Sequence, residues 1–217
     1  GQIGNGNTVG QATPVQVPNL AGVKRICGAY RSAFAIMGDD SVRAWGKNDG
    51  GSLGNGANTD QLTPVAVPAW GSVRDMGGDH QQTAALRTDG TVWTCSATSG
   101  TLGNGTAATS AVPVQVAGLS NVSALGFGFG FFHALRADKT VVGWGANDVG
   151  QLGIGSVSTT PVLSPTPVSA LAAVSQIADG WGGGYALLSN GQVWGWGQNS
   201  SGQLGDGTTD LRKSPVQ

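Results

Sequence analysis

The 217 residues suffice for one sizeable core or two small ones, and 38 of them are glycine, well above the usual ~7 per cent. Charge is sparse and nearly balanced, at 11 basic against 12 acidic residues, and the longest basic runs are Lys24-Arg25 and Arg212-Lys213. That excludes a phosphate-gripping surface, so no nucleic-acid partner is expected, and without an 18-residue apolar stretch or a targeting run no membrane span is expected either.

All twelve acids are Asp, with no Glu in the chain, and Thr, Ser, Asn and Gln supply the remaining polarity. The shortage of Glu and Lys suits a strand-rich chain, and this composition points to an extracellular or cell-surface protein. The glycines are ordered, not random. Gly1-Gln-Ile-Gly-Asn-Gly6 recurs as Gly51-Ser-Leu-Gly-Asn-Gly56, Gly100-Thr-Leu-Gly-Asn-Gly105, Gly150-Gln-Leu-Gly-Ile-Gly155 and Gly202-Gln-Leu-Gly-Asp-Gly207. The steps between first glycines are 50, 49, 50 and 52 residues, a period that marks a propeller or solenoid.

In chain order, a short Pro14–Val17 stretch reads as a lone outer strand. Four apolar stretches follow it: Val23–Cys27, Ala33–Ile36, Val42–Trp45 and Pro64–Val67. Each is four or five residues long, rich in β-branched or aromatic side chains and bounded by turn formers, which is the strand signature. Asp39-Asp40, Asp89-Gly90, Asp138-Lys139 and Asn190-Gly191 separate the second and third stretches of successive units as hairpin turns. Proline is expected at the first position of each outer strand, where no amide donor is needed. In the fourth unit Pro167 comes late, so residues 156–166 are read as holding a four-residue insertion. The expectation is an all-β chain with almost no helix: four four-stranded antiparallel blades at about 23–67, 73–116, 122–168 and 174–217.

Trp144-Gly-Ala-Asn-Asp-Val-Gly-Gln-Leu-Gly-Ile-Gly155 and Trp196-Gly-Gln-Asn-Ser-Ser-Gly-Gln-Leu-Gly-Asp-Gly207 carry a full repeat motif, and Trp45–Gly56 carries it with one change. This motif, followed by Pro-Val, resembles the repeat of the regulator of chromosome condensation (RCC1-like) family of β-propellers. The second unit departs, with Thr94, Cys95 and Ala97 read as standing for Trp, Gly and Asn, and one residue deleted nearby. The resemblance implies a seven-bladed propeller as the usual state. Four blades of that geometry form an arc whose edges invite pairing. Three readings stay open: a segment of a longer chain, completion of the ring by a second chain, or a closed four-blade ring. The founding family's exchange factor acts on a small nuclear GTPase through one face and an inserted wedge. No insertion here is long enough for that wedge, and Ser32, Gln82, Phe131 and Gly183 replace the family's frequent turn histidine.

Aligning the units places Tyr30, His80, Phe129 and Trp181 at one phase, just after the first strand of each blade. Equivalent turns of a propeller emerge on one face, so these rings form a candidate binding patch, and such side chains dominate hot spots. Arg31, Gln82 and Phe131 are the accompanying candidates, because residues beside the rings vary from blade to blade. The competing reading packs the rings between blades. Trp45, Trp144 and Trp196 read as blade-packing residues, whereas Trp70 lies outside the pattern and is expected to be exposed.

Catalytic and metal signals are poor. His80 and His133 are the only histidines, most Asp residues fall in hairpin turns, and no glycine loop precedes a helix. Cys27 and Cys95 lie at different phases and read as unpaired thiols. No catalytic residue, metal or cofactor is expected. The leading expectation is a non-catalytic binding propeller whose aromatic face takes a protein or peptide. The alternatives are an architectural repeat segment that pairs with itself or with further blades, a GTPase exchange factor, and a carbohydrate-binding propeller.

Overall fold

In the computed structural model, which describes residues 1–79 and 81–217, short strands separated by tight turns stack into four antiparallel sheets. The first sheet holds β1 (Val23–Gly28), β2 (Ser32–Met37), β3 (Val42–Gly46) and β4 (Gln61–Ala66). The second holds β5 (Val73–Gly78), β6 (Gln82–Arg87), β7 (Val92–Ser96) and β8 (Ser110–Gln115). The third holds β9 (Val122–Phe127), β10 (Phe131–Arg136), β11 (Val141–Asn147) and β12 (Ser158–Pro167). The fourth holds β13 (Val174–Asp179), β14 (Gly183–Leu188), β15 (Val193–Gly197) and β16 (Arg212–Val216). Every sheet runs in sequence order, and the first strands β1, β5, β9 and β13 neighbour one another from sheet to sheet. Among the described residues the only helical turns are short 3₁₀ turns at Asp49–Gly51 and Pro68–Trp70.

The hairpins between second and third strands form for the reason their residues imply. Asp40, Gly90, Lys139 and Gly191 take positive φ of 66, 80, 69 and 87°. The preceding Asp39, Asp89, Asp138 and Asn190 each accept the backbone N–H two residues on. Three local expectations change. Residues 14–17 form no strand, because no strand lies beside them to pair with. Pro64, Pro113 and Pro215 sit inside β4, β8 and β16, not at their first positions. These are the outermost strands of their sheets, so a missing amide donor on the open side breaks no ladder. Pro165, not Pro167, stands where Pro64 and Pro113 stand, because Thr166 pairs with Gly143 as Val65 does with Ala44 and Val114 with Thr94. The third blade therefore gains two residues rather than four, and they lengthen β12 to ten residues with register shifts against β11.

The core lies between blades, in three clusters. One joins the first two blades through Phe34, Ile36, Leu53, Trp70 and Met76; the next is built on Val116, Leu125, Phe132 and Trp144; the third on Leu135, Val174, Ile177 and Trp196. Fully burying each large side chain contributes about 1.5–3 kcal/mol.

The glycine phrases are the joints. The indole N–H of Trp45 donates to Gln2 O at 3.0 Å and that of Trp196 to Gln151 O at 2.9 Å. Under each ring lies the fourth residue of a phrase. A Cβ on Gly4, Gly54, Gly103 or Gly153 would come within 2.6–2.8 Å of an indole atom of Trp45, Trp70, Trp144 or Trp196. Each of these glycines also has positive φ, between 66 and 80°.

The second blade shows how the joint survives a substitution. Cys95 pairs with Thr83, as Trp45 does with Ala33, Trp144 with Phe132 and Trp196 with Gly184. Cys95, not Thr94, therefore holds the tryptophan position, and the deletion falls between Cys95 and Gly100. Trp70, expected to be exposed, is fully buried; it comes from the Pro68–Trp70 turn, covers Gly54 and donates to Leu53 O at 3.0 Å. The carbonyl of Ser52, equivalent to those of Gln2 and Gln151, is taken by the Thr83 hydroxyl and the Cys95 thiol.

Gly54→Ala meets both a positive φ and the Trp70 ring, whereas the equivalent Gly205→Ala meets a positive φ and open space. Gly205→Ala is expected to cost about 1–2 kcal/mol and Gly54→Ala roughly 1–3 kcal/mol more, read as the difference in urea-unfolding free energies. Equal losses would mean that the ring contact carries no weight. Cys27 and Cys95 are both free thiols, and burial pushes both up from the ordinary range, Cys95 furthest. Because the thiolate is the reactive form, half-buried Cys27 should label slowly in the folded chain and Cys95 only on unfolding, as followed by intact mass.

Candidate functional site

The turns from first to second strand bring the candidate residues to the surface. Tyr30 is 68 per cent exposed, Phe129 39 per cent and Trp181 71 per cent. These rings do not disappear between the blades. His80, the fourth of the series, lies outside the described residues. Phe129 and Trp181, from neighbouring blades, stack with centroids 5.5 Å apart and planes 30° from parallel. The Arg31 guanidinium lies 5.4 Å from the centroid of the Tyr30 ring, a contact that holds both side chains at the same turn.

The other two candidates lie beneath this surface. Phe131 is fully buried and meets His133 edge-on at 5.4 Å. A Cβ on Gly128 would run into the Phe131 ring, so the turn that raises Phe129 needs glycine there. Gln82 is also fully buried, and its Nε2 donates to Asp79 Oδ2 at 3.1 Å. Both support the face and do not present a side chain from it.

Asp79, which is not among the candidate binding residues named from the sequence, ties the turns together. Its Oδ1 accepts the backbone N–H groups of Gln81 and Gln82, at 2.8 and 3.1 Å, and its Oδ2 accepts that of Gly130 at 2.8 Å. One carboxylate thus fixes the second blade's turn to the third's. An Asp three residues before Gln82, in a turn, was the available signal.

Beside the stacked rings opens a cleft of about 540 Å³, lined among others by Asp79, Gln81, Thr98, Phe129, Asp148 and Trp181. Its walls combine aromatic surface, amides and carboxylates, the composition of a recognition pocket. Among the described residues no group of three or more His, Cys or Asp side chains could hold a metal ion. Among the described residues one His–Asp pair forms, His133 Nδ1 to Asp179 Oδ1 at 2.8 Å; it is sealed from solvent, and the other ring nitrogen faces Leu152 O at 3.4 Å. It braces the third blade against the fourth.

Comparison with known proteins gives the same repeat. Residues 140–187 and 190–217 match the model of the regulator of chromosome condensation (RCC1) repeat, and residues 174–203 match a second model of that description. Human probable E3 ubiquitin-protein ligase HERC3 is 40 per cent identical over 84 residues, covering 38 per cent of this chain and 8 per cent of the relative. The human regulator of chromosome condensation is 38 per cent identical over 73 residues, and the ultraviolet-B receptor UVR8 of Arabidopsis thaliana 41 per cent over 76; each match covers 34 per cent of this chain and 17 per cent of the relative. The fold is similar to that of yeast RCC1 (Prp20), solved bound to Kap60, with a TM-score of 0.82 at 19 per cent identity over 95 per cent of this chain and 51 per cent of that one. It is also similar to human WBSCR16, with a TM-score of 0.81 at 20 per cent identity over 99 per cent of this chain and 59 per cent of that one. The chain thus spans a small part of these curated relatives and somewhat over half of the solved chains. Residues 140–217 thus carry repeats of the regulator of chromosome condensation type, and blades in register from Val23 to Val216 give the chain the β-propeller fold of the solved RCC1 structures.

Proposed function

We propose that this chain is a non-catalytic protein- or peptide-binding propeller that engages its partner through the face bearing Tyr30, Phe129 and Trp181. The observation that carries the reading is the Phe129–Trp181 stack: two large rings from different blades, held together yet substantially exposed. Exposing such area has no folding benefit, and aromatic anchors beside a cleft are what binding hot spots use. The non-catalytic reading rests on the cleft's composition of rings, amides and isolated carboxylates. Similar folds include yeast RCC1, solved with Kap60, and protein binding is a general use of this fold.

The test selects peptides from a displayed library on the wild-type chain, then measures their affinity for a chain carrying Phe129→Ala and Trp181→Ala together. Hot-spot truncations cost about 2 kcal/mol or more, so affinity should fall at least about thirtyfold with circular dichroism and melting temperature unchanged. Retained affinity would sink the reading.

A second reading has its own observation. Ile26 in β1 is 75 per cent exposed, while its counterparts Met76, Leu125 and Ile177 are 2, 7 and 9 per cent exposed beneath the preceding blade. A further blade, from a longer chain or a second copy, would cover it in the same way. The reading predicts that Ile26→Lys lowers the solution mass of any self-associated species.

A further inference from the structure

We infer that the cleft beside Phe129 and Trp181 receives an arginine side chain carried by an extended segment of a protein partner. The inference rests on the binding role proposed above and names the chemistry that the site selects.

The cleft is where the repeat is broken. Blades one, three and four each keep a buried asparagine, Asn48, Asn147 or Asn199, whose amide closes the glycine loop onto its own carbonyls. In the second blade, one residue shorter here, Thr98 replaces it; its hydroxyl turns to Gln81 Oε1 at 3.0 Å and lines the cleft. The lengthened outer strand of the third blade supplies the facing wall through Ser158 and Pro161. The chain's single deletion and single insertion, in separate blades, thus meet at one place.

Charge then selects the occupant. Asp79 and Asp148 line the cleft, and no lysine or arginine does among its described lining residues. Neither carboxylate has an ion pair among the described residues. Asp79 is held by neutral N–H donors, which orient the carboxylate without cancelling its charge. Asp148 is exposed, with Oδ1 accepting Gln151 Nε2 at 2.9 Å. Two negative charges beside an exposed indole favour a cation over a neutral ligand such as a sugar. Among cations, guanidinium is planar, weakly hydrated and able to stack on Trp181 while donating to a carboxylate, which a compact ammonium does less well. A volume of about 540 Å³ holds that side chain with adjoining peptide backbone.

The test uses the ¹⁵N-labelled chain, whose seven tryptophans each carry one indole N–H, with the Trp181 signal assigned through Trp181→Phe. The probes are pools of capped tetrapeptides with one position fixed as arginine, citrulline or norleucine, and a neutral oligosaccharide. The arginine pool should shift the Trp181 signal saturably, bind about three- to fivefold tighter than the citrulline pool, and weaken as salt is raised. Asp148→Asn, an exposed change, should remove most of that preference without moving the buried indole signals. Equal binding of arginine and citrulline, a preference unaltered by Asp148→Asn, no shift with arginine, or tighter binding of the oligosaccharide would each overturn the inference. If citrulline peptides bind equally well at Trp181, arginine selectivity fails while peptide binding stands. Peptide affinity surviving loss of both Phe129 and Trp181 is the separate result that removes the binding role itself.

Discussion

A tryptophan ring laid on a glycine of the preceding phrase is the contact on which the rest of this structure depends. It joins blades that share no strand. The indole needs a flat backbone surface beneath it, and only glycine leaves that space while adopting positive φ. Of the four such rings, Trp45, Trp70 and Trp196 also donate to a phrase carbonyl. Trp144 Nε1 is buried without a hydrogen-bond partner among the described residues, although an unmet donor usually costs about 1–3 kcal/mol. Ring packing on glycine is therefore the constant part of the joint, and the hydrogen bond is its usual accompaniment.

Because each joint is a ring in a socket, the socket can be filled from elsewhere. The second blade loses its tryptophan to Cys95 and recovers the ring from Trp70, on the connection entering that blade. The blade frame is kept, so departures from the repeat are tolerated where they leave the sockets alone. Thr98 and the long β12 are such departures. A rigid frame with local variation in its loops is the arrangement that lets one face become a site.

The frame was legible because its signals are local and periodic. Alternating short apolar runs, Asp-Gly and Asn-Gly turns and the ~50-residue phrase each act within a few residues of sequence. Misreadings arose where tertiary packing decides. Nothing near Trp70 indicates that its ring will fill a vacancy left by Cys95, twenty-five residues later. Pro14–Val17 has strand composition, but a strand exists only beside a partner. The aromatic phase placed Tyr30, Phe129 and Trp181 on turns, whereas their exposure and the Phe129–Trp181 stack depend on how blades lean together. Asp79 stayed hidden because its decisive bond, to Gly130 N, spans 51 residues.

The remaining question is why two carboxylates at one cleft matter in so weakly charged a chain, and the use of the other acids answers it. Asp39, Asp89 and Asp138 shape hairpin turns, and hydrogen bonds from Ser41, Thr91 and Thr140 hold their carboxyls below the ordinary range. Asp40, Asp49, Asp60, Asp75 and Asp206 each have a lysine or arginine within salt-bridge distance, and Asp179 has His133. Asp79 also shapes a turn, through neutral N–H donors alone, while Asp148 and Asp210 stand outside both uses among the described residues; Asp79 and Asp148 line the same cleft. Asp79 has its hydration replaced by four N–H donors that leave its charge in place, and exposed Asp148 adds a second charge beside the same rings. What the cleft lacks is a positive charge to offset these two, and the proposed arginine of a partner would bring it to the one place that the repeat's regular contacts do not govern.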